Sequence, residues 1–124
     1  MNDIINKIIE ANNKWKDPDY CLQVVKKDPS NLQFIRKQTP EICIAAVQRD
    51  GLALERVKNQ TPEICIAAVK ENGNALYWIE NQTPEICVEA TKQNPEAYKY
   101  VKLPAIDFER EKFIRKLSFL LLSS

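Results

Sequence analysis

The four cysteines of this sequence offer the widest range of chemistry, because thiols form disulfides, bind zinc and act as nucleophiles. They lie 22 residues apart, at Cys21, Cys43, Cys65 and Cys87. The sequence contains no histidine, so neither a Cys-His nucleophile nor a mixed Cys/His zinc site can form. Equal spacing of this kind is typical of one position in successive structural units, and the role of the cysteines therefore depends on those units.

A sequence repeat accounts for the spacing. The segment TPEIC begins at Thr39, Thr61 and Thr83, and a further step of 22 residues back reaches Asp17, which begins a diverged copy. The sequence thus predicts four units, at 17–38, 39–60, 61–82 and 83–104, in a single helical-repeat domain over 1–124. The remaining ends predict an N-terminal capping helix at 1–16 and a C-terminal capping helix at 105–124.

Local signals within each unit predict two short helices. Thr39 can cap a helix start, Pro40 fits the first helical position, and Glu41 places a carboxylate in the positive first turn. Asp50 followed by Gly51 ends this helix and can cap a second, shorter one. The predicted fold is therefore all-α, a right- or left-handed, α-solenoid-like stack of four αα-hairpins between capping helices.

Apolar residues mark both predicted caps. Ile4, Ile5, Ile8 and Ile9 share one side of an amphipathic N-terminal helix, which predicts a cap over the first unit. In the predicted C-terminal helix, Leu120 and Leu121 belong to the apolar stripe but Phe119 and Leu122 fall outside it, which sets apart the segment Phe119–Leu122. Two interpretations stay open for it: a thick cap with a frayed tail, or an exposed patch for a homodimer or another partner.

The repeat predicts core positions for the cysteines. Each lies on the arc of its helix that holds apolar residues in every unit. Neighbouring helices of a stack lie ~8–10 Å apart, whereas a disulfide requires Cα atoms within about 7 Å. A zinc site would have to join residues three repeat steps apart. Small, weakly polar core residues are the better interpretation, and no metal is expected.

Enzyme chemistry finds little support in the remaining residues. The two glycines both fall in turns, so the sequence offers no phosphate-binding loop. The glutamates Glu41, Glu63 and Glu85 are explained as helix-start residues. A net charge of +1 favours neither nucleic acid nor an anionic membrane, and the N-terminus does not resemble a signal peptide. We predict a cytoplasmic, non-enzymatic protein with no cofactor and no membrane partner.

A binding role is instead suggested by positions that differ between units. Side chains of the type that anchor protein interfaces occupy one position of the second helix, and these candidate partner-binding residues are Phe34, Arg56, Trp78 and Tyr100, with Tyr77 adjacent. Such side chains also stack on bases, so an RNA or single-stranded nucleic-acid binder is the alternative to a protein partner. They could also simply cover the seam between units.

A second variable row lies on the first helix of each unit and consists of Gln23, Ala45, Ala67 and Glu89. Its small central residues suit close approach by a partner helix, and equally suit tight packing within the stack.

The stretch TPEICIAAVKENGNALYWIENQTPEICVEATKQNPEAYKYV resembles a short helical repeat catalogued as a domain of unknown function in bacteria, phages and giant viruses. The resemblance covers Asp17 to Val101 and rests on the TPEIC start, the Asn/Asp-Gly turn and the following Ala-Leu. Pro29 and Pro95 replace the turn glycine, and Thr91 replaces a valine, in the terminal units. The resemblance implies an α-helical interaction array. Its mobile-element setting implies a small phage protein that blocks a host defence complex, such as a CRISPR effector.

Overall fold

A computed structural model describes residues 2–102, Lys116 and Phe119 of the chain. Within residues 2–102, each predicted unit forms one α-helix followed by one 3-10 helix. The α-helices are α1 (Asn2–Lys14), α2 (Pro18–Lys27), α3 (Pro40–Arg49), α4 (Pro62–Glu71) and α5 (Pro84–Gln93). The 3-10 helices are η1 (Pro29–Phe34), η2 (Gly51–Arg56), η3 (Gly73–Trp78) and η4 (Pro95–Tyr100). The predicted all-α stack of repeated units is confirmed.

The helix boundaries follow the predicted capping residues. In the third unit, Thr61 Oγ1 accepts a hydrogen bond from the Ile64 N–H at 3.3 Å, and Pro62 occupies the first turn of α4. At the other end, the Asn72 N–H donates to the Ala68 carbonyl at 2.9 Å. The Asn72 side chain also accepts from the Asn74 N–H at 3.0 Å, which starts η3. One residue therefore ends the first helix and begins the second.

The second helix of each unit is a 3-10 helix, and its geometry explains how the chain returns to start the next unit. A ten-residue α-helix is about 15 Å long, whereas six residues advance only about 9 Å as an α-helix but about 12 Å as a 3-10 helix. The tighter coil therefore recovers most of the length of the first helix. The extended residues that follow, such as Val57 with φ −79° and ψ 123°, close the remaining distance.

Like elements of successive units pack against each other, so the stack has two layers: an α layer (α2 to α5) and a 3-10 layer (η1 to η4). The C-terminal end of each α-helix lies beside the same end of its neighbour. In α4 and α5 this is shown by a hydrogen bond of 2.6 Å from the Gly73 N–H, just after α4, to Gln93 Oε1 at the end of α5. The Gly51 N–H likewise donates to the Glu71 carboxylate. The helices of the α layer therefore run in the same direction, with the core between the two layers.

Three equivalent glutamines, Gln38, Gln60 and Gln82, hold successive units together, and we call them the glutamine clasp. Gln82 is typical: its amide donates to the Leu76 and Tyr100 carbonyls at 3.2 and 3.0 Å, and its Oε1 accepts from the Lys102 N–H at 2.7 Å. The side chain thereby satisfies backbone groups of two adjacent units. This role was not predicted, although the 22-residue recurrence of the glutamine was visible in the sequence.

The N-terminal helix departs from its predicted role. Helix α1 forms at Asn2–Lys14, but it buries none of its residues, and Ile4 is 67% exposed. The prediction that the isoleucine side of this helix covers the first unit is therefore wrong. Trp15 packs there instead: its ring lies 5.5 Å from the Tyr20 ring, and its carbonyl accepts a hydrogen bond from the Cys21 thiol at 3.2 Å.

The predicted C-terminal cap at 105–124 lies outside the described residues except for Lys116 and Phe119. Of the segment Phe119–Leu122, only Phe119 is described, and it is 70% exposed. Among the helices that the structure describes, none has the length and hydrophobicity needed to cross a membrane.

Candidate protein-binding surface

The predicted row of variable residues lies on the 3-10 layer. Phe34, Arg56, Trp78 and Tyr100 are each the last residue of a 3-10 helix. Phe34 is 59% exposed and Arg56 is also exposed, whereas Trp78 and Tyr100 are half-buried against the core. The row is therefore an outer surface of the stack whose two C-terminal members also contribute to packing, as the seam interpretation predicted.

Three aromatic side chains meet at the third and fourth units, and we call them the aromatic cluster: Tyr77, Trp78 and Tyr100. The Tyr77 ring centroid lies 4.8 Å from that of Trp78 and 5.4 Å from that of Tyr100, with interplanar angles of 88° and 76°. These are edge-to-face contacts, which fix each ring by its neighbour. Tyr77 is the central ring and remains 48% exposed.

Two lysines border the aromatic cluster. Lys102 Nζ lies 5.1 Å from the Tyr77 ring centroid and also donates to the Tyr77 carbonyl at 3.2 Å. Lys99 Nζ lies 5.1 Å from the centroid of Tyr100. Such cation–π contacts stabilise exposed sites by about 0.5–1 kcal/mol each. They place positive charge beside the exposed aromatic surface.

The other two predicted residues lie apart from this cluster. Phe34 packs against Trp15, with ring centroids 5.9 Å apart, at the N-terminal end of the stack. Arg56 lies on η2 between the two aromatic groups, and its backbone carbonyl accepts from the Gln38 amide at 2.8 Å. The structure thus brings Tyr77, Trp78 and Tyr100 together and leaves Phe34 in a second aromatic group.

A small cleft opens near the linkers between the first three units. It has a volume of about 110 Å³, and Arg36, Lys58, Asn59 and Thr61 contribute to its lining. Sites for small molecules and cofactors occupy ~300–1,000 Å³. This cleft is therefore too small to enclose a cofactor, and it adds further positive charge to the surface.

The cysteines occupy the core, as predicted. All four are free and buried. Burial raises the pKa of the Cys65 and Cys87 thiols to about 11, and it also raises the pKa of Cys43, whose thiol donates to Gln38 Oε1 at 3.7 Å. Because the thiolate is the reactive form, these groups are poor nucleophiles at neutral pH.

These observations define the protein as a helical-repeat stack with an exposed aromatic cluster near its C-terminal end. The chain belongs to the family described as Domain of unknown function (DUF4116), which matches residues 17–61 and again 61–103. Each match spans two of the units described above, so the family domain corresponds to a pair of stacked units. Comparison with curated proteins and with solved structures gave no match.

Proposed function

We propose that this chain is a non-enzymatic protein-binding module whose partner docks on the aromatic cluster. The observation that carries the proposal is the edge-to-face packing of Tyr77 between Trp78 and Tyr100 while nearly half of Tyr77 stays exposed. Aromatic side chains that are already fixed before binding lose little entropy in a complex. They are also the residue types that dominate protein interfaces.

The charges around the cluster indicate the chemistry of the partner. Lys99 and Lys102 border the rings, and Arg56 lies on the preceding 3-10 helix. A partner surface that presents an apolar side chain flanked by carboxylates would match this arrangement. The apolar group would supply affinity, and the carboxylates would supply orientation and association rate.

The nucleic-acid alternative fits the geometry less well. Reading bases on successive repeats requires ring faces that are free for stacking. Here the central ring contacts both neighbours, and Lys102 lies over Tyr77 while Lys99 lies over Tyr100. In addition, Glu80 adds an exposed negative charge next to the 3-10 layer. This supports a protein partner over a single strand.

Subunits of host defence complexes, such as a CRISPR effector, are the first partners to test. This choice depends on the resemblance of the units to repeats of phages and other mobile elements, and not on the geometry of the cluster.

Affinity capture with matched variants tests the proposal. Tagged wild-type protein, a Tyr77→Ala/Trp78→Ala double variant and the control Leu52→Ala would be incubated with host lysate and with purified defence complexes. Leu52 is also an exposed apolar residue of the 3-10 layer, on η2. We expect the double variant to lose a partner that the control retains, with both variants folded by circular dichroism. Retention of every partner by the double variant would overturn the proposal.

A fluorescence titration tests the nucleic-acid alternative. A Trp15→Phe background leaves Trp78 as the single tryptophan, because the sequence contains two. Mixed RNA and DNA oligonucleotides at low salt, where such binding is strongest, should leave its emission unchanged. A saturable change that disappears in Tyr77→Ala would assign the cluster to nucleic acid instead.

A further inference from the structure

The outward side of the α layer carries opposite charges at its two edges. In α4, Glu63 lies in the first turn and Lys70 seven residues later, so both face the same direction about 10 Å apart. The same arrangement recurs in α2 and α5, whereas α3 has Gln48 at the position of the lysine. The acidic edge consists of Asp19, Glu41, Glu63 and Glu85, and the basic edge consists of Lys26, Gln48, Lys70 and Lys92, all of them exposed.

The parallel order of the helices makes these edges continuous. The hydrogen bonds of Gly51 to Glu71 and of Gly73 to Gln93 align the C-terminal ends of adjacent helices. The four acidic residues therefore lie along one border of the layer, and the three lysines and Gln48 lie along the opposite border. Within a unit the two edges lie about 10 Å apart, which is too far for an ion pair between them.

Between the edges lies a strip of partly exposed apolar and small residues. Ile66 and Ala67 occupy it in α4, where they are only half-buried against the core. Ile44 and Ala45 are their counterparts in α3, and Leu22 and Val88 continue the strip in α2 and α5, where Gln23 and Glu89 take the place of the alanine. Alanine at the centre allows another helical surface to approach closely.

We infer that this face binds a second copy of the chain in an antiparallel homodimer. A surface with one acidic edge, one basic edge and an apolar centre is complementary to itself after a two-fold rotation. The two-fold axis runs along the stack, across the middle of the helices, so that each helix lies antiparallel to its own copy and Glu63 lies opposite the partner's Lys70. The same rotation pairs Asp19 with the partner's Lys26, and Glu85 with the partner's Lys92. Every charged residue of the basic edge then meets a carboxylate.

The dimensions of the face predict a weak dimer. Four helices spaced ~9 Å apart and about 15 Å long cover about 500 Å² on each chain. The total of about 1,000 Å² is near the lower limit for a specific interface. Because much of the complementarity is electrostatic, the dimer should dissociate as salt rises and screens the charges. The 3-10 layer stays free, so self-association leaves the aromatic cluster accessible.

A charge-swap experiment with the full chain tests this inference. Sedimentation velocity at low salt should show a concentration-dependent dimer for the wild type, and Glu63→Lys and Lys70→Glu should each weaken association about tenfold or more. An equimolar mixture of the two variants should dimerise again, because each reversed charge then meets its opposite on the other chain. Loss of folding cannot produce this rescue.

Glu55→Lys is the matched control, because Glu55 is an exposed glutamate of the 3-10 layer. It should dimerise like the wild type. A wild-type chain that stays monomeric up to high concentration at low salt would overturn the inference, as would variants that fail to associate when mixed. Either result would leave the proposed role of the aromatic cluster intact, since that role is tested by capture on the other layer.

Discussion

The glutamine clasp shows how a single side chain can set the register between repeats. Gln38 donates to the Leu32 and Arg56 carbonyls at 3.2 and 2.8 Å and accepts from the Lys58 N–H at 2.9 Å. Arg56 ends η2 and Lys58 lies in the extended linker after it, so the Gln38 side chain supplies hydrogen bonds that a continuing helix would supply, and it adds a second one to the Leu32 carbonyl. Its carbonyl and amide ends are both used, which makes the residue difficult to replace.

Replacement of the clasp should destabilise the stack. We expect Gln38→Ala to lower the free energy of unfolding by about 2 kcal/mol, because partly buried backbone groups lose their partners. Gln38→Glu should also be destabilising, since a carboxylate cannot donate to the two carbonyls. Urea denaturation measures both effects, and the exposed Gln33→Ala serves as the control. Equal stability of Gln38→Ala and Gln33→Ala would contradict the clasp.

The buried thiols predict a dependence of stability on alkaline pH. Unfolded chains ionise a cysteine near its ordinary pKa of 9.0, whereas burial raises the pKa of Cys65 to about 11. Deprotonation between these values therefore favours the unfolded chain, and the contribution of the thiol is lost as pH rises through that window. The Cys65→Ala variant should cost about 1 kcal/mol at neutral pH. It should then lose less stability than the wild type between about pH 8 and pH 11. Urea denaturation at each pH measures the difference, and equal losses in the two proteins would contradict the assignment of this pH dependence to the Cys65 thiol.

At the scale of the element, the turn glycines are required by packing and not by backbone conformation. Neither glycine has a positive φ. A Cβ on Gly73 would lie closer than 3.0 Å to the Ala90 carbonyl of the next unit. The sequence interpretation of these glycines as helix-ending turn residues was thus incomplete, because the restriction comes from the neighbouring helix and is invisible within one unit.

We call the turn between the two helices of a unit the corner. A methyl group on Gly73 at this corner should therefore push the third and fourth units apart. We expect Gly73→Ala to destabilise the protein by about 2–3 kcal/mol, as overpacking of a tight contact does. Pro29→Ala, at the equivalent position of the first unit, should change stability by less than about 1 kcal/mol, since this corner already accommodates a Cβ. Thermal and urea unfolding of the two variants provide the comparison, and similar costs would show that the glycine contact is not the cause.

At the scale of the whole molecule, each junction between adjacent units has its own pair of facing residues. One residue lies at the turn of one unit, and the other lies at the end of the first helix of the next unit. Gly51 and Gly73 donate to Glu71 and Gln93, which are acceptors. Pro29 has no N–H, and the residue equivalent to these acceptors in the next unit is Arg49. A hydrogen bond from Ser30 lowers the pKa of the neighbouring Asp28, and the charge of Arg49 lowers it further. The units are therefore similar but not interchangeable.

Deletion of a whole unit should show whether these residue pairs determine how stable a junction is. Deletion of 61–82 joins the second unit to the fourth, where the Gly51 N–H meets Gln93 instead of Glu71 and the clasp residue Gln60 meets the Tyr100 carbonyl. Deletion of 39–60 instead places Glu71 beside Asp28, with no donor between them. Both shortened chains lose one interface of the array, but we expect the first to keep its helical content and melt cooperatively at a higher temperature than the second. Thermal melts followed by circular dichroism measure the two melting temperatures. A higher melting temperature for the second chain would contradict the pairing.

Sequence reasoning reached the architecture because the period, the caps and the apolar positions are local signals. Thr39, Asp50 and Cys43 were all assigned correctly from their immediate neighbours. The contacts that it missed join residues about 20 positions apart, such as Gln38 with Lys58. The aromatic cluster was predicted as part of a longer row, because an array of equivalent positions does not show that Tyr77 joins Trp78 to Tyr100 while Phe34 turns toward Trp15.

The corner residues restrict how such a chain can change in length. Asp50 and Asn72 each end one helix and begin the next, so the two helices of a unit are joined without a loop. An inserted or deleted residue at the corner would rotate one helix relative to the other and separate the clasp from its carbonyls. Small insertions should therefore be poorly tolerated at this corner. Evolution can therefore lengthen this protein in steps of one complete unit, and the number of units sets the area available for recognition.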